Sequence, residues 1–136
     1  MDIHDARRFL TENHRAVLHT TRADGSPQLS PVVQAVDAEG HVCISTRDTA
    51  MKVKNLRRRP KAALLGLGDG FFGQWVQVDG TVQIVALPEA MEGLRDVYRA
   101  VAGEHPDWDE FDAAMVEERR VMLRLHIERA GPDTSG

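Results

Sequence analysis

The stretch "RAVLHTTRADGSPQLSPVVQAVDAEGHVCIST" (residues 15–46) gives the clearest indication of the fold of this 136-residue chain. Three segments rich in strand-forming residues alternate in it with two turn sequences, "ADGSP" and "DAEG". An Asp-Gly turn between two such segments is typical of a β-hairpin. The stretch therefore predicts three antiparallel strands, at residues 15–21, 28–36 and 41–46. Because Pro31 cannot donate a hydrogen bond to a neighbouring strand, it predicts that the second strand lies at a sheet edge or contains a bulge.

Three more strands are predicted further along the chain. The run "KAALLGL" (61–67) is almost wholly apolar, as in a strand that is buried on both faces. The segment "QWVQVDGTVQIV" (74–85) predicts a long strand that bends at Gly80. The segment "RVMLRLHIER" (120–129) alternates apolar and polar residues, as a half-buried antiparallel strand does.

Short helices are predicted between these strands. Asp2 and Thr49 are suitable N-cap residues, and Pro60 ends the helix that starts after Thr49. Pro88 suits the first position of a third helix. The pair of Asp107 and Glu110 three residues later has the spacing of a capping box, which predicts a fourth.

Six antiparallel strands must close on themselves or pack against another layer to hide their edges. We therefore predict a mainly β (α+β) fold, a six-stranded antiparallel β-barrel with peripheral helices, as one domain over residues 1–129. The remaining sequence, "AGPDTSG" (130–136), predicts a disordered tail.

The composition restricts the class of protein. Hydrophobic residues make up 42% of the chain and charged residues 28%, which is ordinary for a soluble domain. No apolar run approaches the ~18 residues that a membrane-spanning helix needs, and the first residues, "MDIHDARRFL", lack the layout of a signal peptide. The single cysteine, Cys43, suits a reducing cytoplasm. With a formal net charge of -4, we expect a cytoplasmic protein that binds neither nucleic acid nor membrane.

No pattern in the sequence predicts a catalytic side chain. The six histidines are scattered without the spacing of metal ligands. Cys43 alternates with apolar neighbours in a strand, so it reads as a packed thiol. Nucleophile-elbow, P-loop and dinucleotide-binding motifs are missing. We therefore predict no catalytic residue and no metal site, and any redox chemistry would belong to a bound cofactor.

The basic residues are concentrated at one place in this acidic chain. Residues 47–61 carry seven bases and one acid, whereas residues 89–118 carry ten acids and two bases. Lys52 lies in the first turn of a predicted helix, where free N–H groups and the helix dipole favour an anion. Ser45 and Thr46 add hydroxyl groups at the end of the preceding strand. This arrangement predicts an anion-binding site, although the residues alone leave open a solvated basic helix face.

Two long stretches carry a family resemblance. They are "DGSPQLSPVVQAVDAEGHVCISTRDTAMKVKNLRRRPKAALL" (24–65) and "YRAVAGEHPDWDEFDAAMVEERRVMLRLHIE" (98–128). Together they resemble the pyridoxamine 5'-phosphate oxidase-like, flavin-binding split β-barrel family, and more closely its actinobacterial branch that uses the deazaflavin coenzyme F420. The resemblance implies a homodimeric split β-barrel with two cofactor sites at the subunit interface and a small-molecule substrate.

The resemblance also implies which residues contact the cofactor. Lys52 would bind its phosphate. Ser45, Thr46, Ala50, Met51 and Val53 would line the ribityl and phosphate path, Gln28, Pro31, Val32 and Val33 the ring system, and Gln74 and Trp75 would come from the other subunit. The deazaflavin also carries an oligoglutamate tail, for which Lys54, Arg57 and Arg58 are candidates. The chain departs from the family pattern at Met51, where a basic residue is common, and at Pro31, where relatives offer a polar side chain.

The activity that the resemblance implies is hydride transfer between reduced F420 and an unsaturated organic substrate. Three alternatives stay open. The cofactor would be FMN, or the protein would carry F420 without turnover, or the barrel cleft would bind haem or another flat ligand.

Overall fold

The computed structural model describes residues 1–70 and 72–132. Within these residues the chain forms seven strands and four helices. The strands are β1 (Arg15–Thr21), β2 (Pro27–Val33), β3 (Ala35–Val36), β4 (Val42–Arg47), β5 (Lys61–Leu67), β6 (Trp75–Val85) and β7 (Arg120–Gly131). The helices are α1 (Ile3–Glu12), α2 (Met51–Arg58), α3 (Met91–Ala102) and α4 (Trp108–Glu117).

The strands form one curled antiparallel sheet in the order β2-β1-β5-β6-β7-β4-β3. A bulge between Asp79 and Gly80 bends the long strand β6, as predicted. A Cβ atom at Gly80 would lie 1.8 Å from the carbonyl oxygen of His126, so only glycine allows β7 to approach this closely. The curl brings the edge strand β2 close to β4, although four strands separate them in the sheet. The predicted mainly β (α+β) fold with peripheral helices is therefore confirmed, and the predicted antiparallel barrel takes the form of a curled sheet, a half-barrel.

The prediction of six strands is wrong by one, because the segment 28–36 is broken at Gln34. The backbone N–H of Gln34 donates to the carbonyl of His14 at 2.9 Å. Its buried side-chain amide donates to the carbonyls of Leu10 at 2.9 Å and Asn13 at 2.7 Å. These bonds satisfy the carbonyls at the end of α1 and turn the chain out of β2 into the separate strand β3. Pro31 lies in β2, an edge strand, as predicted.

Two other predicted boundaries differ in the structure. Pro88 lies in a turn, and α3 begins three residues later at Met91. The last strand runs to Gly131, because Ala130 pairs with Val78 in β6. The first two residues of the predicted tail therefore belong to the sheet, and residues 133–136 lie outside the described part of the chain.

The sheet has a hydrophobic layer on each side. On the concave side, α1 and α2 pack with Leu10, Leu18, Ile44, Leu56 and Leu64 in one core cluster. On the other side, α3 and α4 cover Cys43 and Met122 with Leu94, Phe111 and Met115. None of the helices in the described residues is long and apolar enough to cross a membrane.

The outer face of β2, β1, β5 and β6 is apolar but open. The register places Pro31 opposite Val17, Val17 opposite Leu65 and Leu65 opposite Gln77, so these residues share one face. Leu29 on the same edge is 66% exposed. The expectation that strand 61–67 is buried on both faces is therefore wrong within one chain. Its residues alternate between buried and exposed or half-buried positions, because only the inner face meets a core.

Candidate functional site

The candidate anion site lies at the start of α2. A turn closes over residues 47–50, where the N–H of Ala50 donates to the carbonyl of Arg47 at 3.0 Å. This turn delays the helix by one residue, so Ala50, and not the predicted Thr49, is the N-cap. Since alanine has no side-chain acceptor, the helix has no side-chain cap hydrogen bond. The N–H of Val53 donates to the carbonyl of Ala50 at 3.0 Å, so the N–H groups of Met51 and Lys52 are the ones that a ligand can use, as at other anion-binding helix starts.

Lys52 projects from this first turn towards the end of β4. Its Nζ atom lies 3.5 Å from the hydroxyl oxygen of Thr46, a residue that is 5% exposed. Burial of the ammonium lowers the pKa of Lys52, and repulsion from the nearby Arg120 lowers this pKa further. In the part of the chain that the structure describes, Lys52 forms no ion pair with a carboxylate. A half-buried cation beside a second cation lacks its counter-charge, and a bound anion would supply it.

An arginine network surrounds the same helix start. The carboxylate of Asp48 accepts from Arg57 at 2.5 Å and from Arg119 at 3.3 Å. The carboxylate of Glu118 accepts from Arg120 at 2.8 Å and lies 3.5 Å from Arg47. The hydrogen bond from Arg57 is the main cause of the lowered pKa of Asp48, and the bond from Arg120 is the main cause for Glu118.

Sequence reasoning missed Arg119 and Arg120. They reach the site because β7 pairs antiparallel with β4, with Arg120 opposite Arg47. The run "EERR" (117–120) at the junction of a helix and a strand was a visible signal. Its meaning depended on the order of the strands, which local sequence patterns do not encode.

Asn55 on the buried side of α2 was also missed. It is 1% exposed, and its amide donates to Thr20 Oγ1 at 3.1 Å and to Gln28 Oε1 at 2.8 Å. Its carbonyl oxygen accepts from Arg58 at 3.0 Å, and Arg58 also donates to the carbonyl of Thr21 at 3.1 Å. This network fixes α2 to β1 and β2, because each buried polar group has a partner that only this packing provides. A single uncharged polar residue in the basic helix was the only sign of it in the sequence.

The structure brings some of the predicted cofactor residues together and separates others. Ala50, Met51, Lys52 and Thr46 meet at the helix start, whereas strand alternation turns the Ser45 side chain to the opposite face of β4. The side chain of Val53 is fully buried in the core, and its N–H donates to the carbonyl of Ala50 at 3.0 Å, so neither group is open to a ligand.

The predicted ring-system residues lie on two faces of β2. Gln28 faces α2 through its bond to Asn55, and Val32 packs against the core beneath the sheet. Pro31 and Val33 are exposed on the outer face. Period-two alternation separates these positions, although they are neighbours in sequence.

Trp75 and Gln74 lie at the far end of β5 and β6 from α2. Trp75 pairs with Leu67, whereas Lys61, next to the end of α2, pairs with Thr81 at the other end of these strands. Trp75 lines an outer cavity of about 830 Å³ together with Leu65 and Leu67. Gln74 is exposed beside it.

The predicted tail contacts are distributed unequally. Arg57 is held by Asp48 at the edge of the site, Arg58 is engaged in the Asn55 network, and Lys54 is exposed. Of these three cations, only Arg57 contacts a residue at the helix start.

Cys43 does not have the environment of a nucleophile. Burial raises the pKa of its thiol to about 12, and the negative charge of Asp37 raises this pKa as well. The thiol is therefore protonated at neutral pH. Within residues 1–70 and 72–132, no group of three or more His, Cys, Asp or Glu side chains is arranged to hold a metal ion.

Comparisons with known proteins show the family and the fold of this chain. The sequence model of a family described as "Pyridoxamine 5'-phosphate oxidase" matches residues 3–132. An F420H(2)-dependent biliverdin reductase from Mycobacterium tuberculosis (strain CDC 1551 / Oshkosh) is 29% identical over 126 residues, which cover 92% of this chain and 83% of that protein. The crystal structure of a conserved hypothetical protein from Mycobacterium tuberculosis matches with a TM-score of 0.78 and 26% identity, over 100% of this chain and 92% of that chain. A structure described as an F420 reductase matches with a TM-score of 0.71 and 20% identity, over 92% of this chain and 94% of that chain, which shows a shared fold alone.

Proposed function

The chain belongs to the pyridoxamine 5'-phosphate oxidase family, and we propose that it is a cytoplasmic F420-dependent oxidoreductase. Its reaction would be the transfer of a hydride between the deazaflavin and an unsaturated small organic substrate. The relative that acts as an F420H(2)-dependent biliverdin reductase supports the choice of cofactor, since it is similar over 92% of this chain.

The observation that carries the proposal is the half-buried ammonium of Lys52. It lies at a helix start without a capping side chain, it contacts the Thr46 hydroxyl, and Arg120 repels it. A phosphate group fits these residues, because the ammonium, the hydroxyl and the first-turn N–H groups are all donors to an anion. Lys52, Thr46 and the backbone at Met51 and Lys52 would hold the phosphate of the cofactor.

The open apolar face supports a homodimer as the second part of the proposal. Leu29, Pro31 and Val33 on β2, with Leu65 on β5, leave an exposed apolar surface that a soluble protein usually covers with a partner. A second copy would cover this face and bring Trp75 of the partner subunit to the open side of the cofactor site. Two copies then form two equivalent sites.

The protein side of the mechanism is binding, orientation and exclusion of water. When bound, the deazaflavin supplies the redox chemistry as a hydride donor or acceptor. Lys52 and the helix start fix one end of the ligand, while the outer face of β2 and the dimer seam shield the other end from water. Holding the reacting groups at contact distance would contribute to the rate of such a transfer by proximity and orientation. No general acid, base or nucleophile is assigned to the transfer, and the buried thiol of Cys43 is protonated and therefore not a nucleophile.

An FMN-dependent oxidoreductase is the second candidate, because the Lys52 site by itself fits a monophosphate. A carrier that binds F420 without turnover is the third, because no side chain in residues 1–70 and 72–132 is assigned a catalytic role.

The deciding experiment is a comparison of the two cofactors with purified protein. Fluorescence titration measures F420 binding, and absorption spectra of the purified protein reveal bound FMN. Reduced F420 is then offered with a panel of enones, quinones and linear tetrapyrroles. We expect F420 to bind more tightly than FMN. We also expect at least one acceptor of the panel to oxidise the reduced F420. A yellow protein that carries FMN would favour the second candidate, and tight F420 binding without turnover the third.

A further inference from the structure

We propose that Arg58 and Asn55 are positioning residues, which fix the side-chain amide of Gln28 so that its NH₂ group, and not its carbonyl oxygen, is presented to the ligand. Gln28 would then donate a hydrogen bond to a carbonyl oxygen of the cofactor ring. This inference rests on the proposed function, because it concerns the ligand whose phosphate Lys52 would bind.

The first argument is the direction of the hydrogen bonds at Arg58. Its Nη2 atom donates to the backbone carbonyl of Thr21 at 3.1 Å and to the side-chain oxygen of Asn55 at 3.0 Å. The backbone carbonyl is a fixed acceptor that holds the guanidinium in place. Since a guanidinium has only donors, the atom of Asn55 that faces it must be the oxygen. Arg58 therefore determines which way the Asn55 amide points.

The Asn55 amide in turn determines the orientation of Gln28. The NH₂ group of Asn55 has two hydrogens, and it donates to Thr20 Oγ1 at 3.1 Å and to Gln28 Oε1 at 2.8 Å. Because an NH₂ group can only donate, the atom of Gln28 that faces it must be the carbonyl oxygen. The NH₂ group of Gln28 is therefore the end of the amide that does not face Asn55.

This NH₂ group is left for a ligand. Asn55 and Thr20 are each 1% exposed, whereas Gln28 is only half-buried. Among the residues that the structure describes, none accepts a hydrogen bond from the amide nitrogen of Gln28. An amide with one end fixed by a buried network and the other end open is a donor of defined direction. Polar groups of this kind orient a ligand in a binding site.

Gln28 lies near the candidate anion site. Lys52, Asn55 and Arg58 follow each other at intervals of three residues, so they lie along one side of α2. Three residues of helix rise by roughly 4.5 Å, which is the offset between Lys52 and the residue that holds Gln28. The curl of the sheet also brings β2, with Gln28, close to β4, with Thr46. A ligand bound at Lys52 that extends along β2 therefore meets the NH₂ group.

The fixed polarity indicates which atom of the ligand this group contacts. A hydroxyl group can donate or accept, so it adapts to either end of an amide, whereas a carbonyl oxygen can only accept. The rings of flavins and deazaflavins carry carbonyl oxygens. A ring carbonyl is therefore the group for which the orientation of Gln28 decides between attraction and repulsion.

The test reverses the orientation with Asn55→Asp. Aspartate has the shape of asparagine, but in its ionised form both oxygens only accept, so Gln28 has to turn its NH₂ group towards position 55 and its oxygen towards the ligand. Arg58 and Thr20 keep an acceptor there. The same substitution in a Gln28→Leu background is the matched control, because it adds the same negative charge where no amide can turn.

Fluorescence titration then measures the dissociation constant of F420, or of FMN if F420 does not bind. We expect Asn55→Asp to raise this constant at least about tenfold more in the presence of Gln28 than in the Gln28→Leu background, since a hydrogen bond is replaced by repulsion between two oxygens. Inorganic phosphate, which has no ring carbonyl, should lose the same affinity in both backgrounds. Equal losses of F420 affinity in the two backgrounds, or unequal losses for phosphate, would overturn the inference.

A second measurement needs neither the cofactor nor a variant that folds. NMR measures how fast the side-chain amide hydrogens of the free wild type exchange with water. We expect those of Asn55 to exchange at least about tenfold more slowly than those of Gln28, because only the Asn55 hydrogens are bonded. Slower exchange at Gln28 than at Asn55 would show the opposite orientation and overturn the inference. If the expected order is found but neither cofactor binds, the proposed function fails while the orientation of Gln28 stands.

Discussion

Replacing Lys52 by methionine tests the anion site directly. The substitution removes the ammonium and keeps an unbranched side chain of similar length. A charge-assisted hydrogen bond to a partly buried phosphate is worth about 1.5–3 kcal/mol. The loss corresponds to a dissociation constant for F420 that is about 10- to 160-fold higher. Fluorescence titration measures it.

The fold should tolerate this substitution. Lys52 gives up only its 3.5 Å contact with the Thr46 hydroxyl, and burial already disfavours its charged form. An apolar side chain removes that desolvation cost, so the melting temperature should stay the same or rise slightly. Arg59→Gln, which removes one exposed positive charge from the far end of α2, serves as the control for net charge.

The pH dependence gives a second readout of the same residue. Since burial lowers the pKa of Lys52, the free protein loses this positive charge at a lower pH than an exposed lysine does. The anion binds the protonated form, so wild-type affinity should be constant below this pKa and fall as the pH rises through it. Lys52→Arg should keep its affinity at alkaline pH, because a guanidinium stays charged. A folded Lys52→Met variant that binds F420 within twofold of the wild type would refute the anion site.

Three other predictions follow from buried and exposed groups. Asn55→Ala removes three hydrogen bonds beneath α2 and should lower the free energy of unfolding by about 2–4 kcal/mol. Urea denaturation measures this loss, and a loss below about 0.5 kcal/mol would show that the network is dispensable. Leu29→Asp places a charge on the open face of β2 and should prevent dimerisation, so that the variant has half the mass of the wild type in light scattering. A wild type that is itself monomeric would contradict the proposed dimer. Cys43, with its thiol pKa raised to about 12, should react with a thiol reagent at pH 8 only after urea unfolds the chain; rapid labelling of the native protein would contradict its burial.

The sequence correctly predicted features that neighbouring residues determine. The alternation in 120–129, the Asp-Gly turn after β1 and the caps at Asp2 and Asp107 are local patterns, and the structure confirms each of them. Lys52 could be selected for the same reason, because its position in the first turn of a helix depends only on nearby residues. The prediction of one continuous strand over 28–36 failed for a physical reason. Gln34 breaks this strand because its side chain donates hydrogen bonds to the end of α1, 21 and 24 residues earlier in the chain.

The mainly β class, most element positions and one cation of the candidate site follow from local sequence patterns, because the period of side chains along a strand or helix is a local property. The order of the strands follows from contacts between distant segments of the folded chain. That order places Arg120 beside Arg47 and brings Arg119 to Asp48, a residue 71 positions away. It also gives the Asn55 amide its partners on β1 and β2, and it leaves the outer face of β5 open. These contacts join segments that are distant in the chain, and their stability depends on the packing of the whole sheet, which no short stretch of residues specifies.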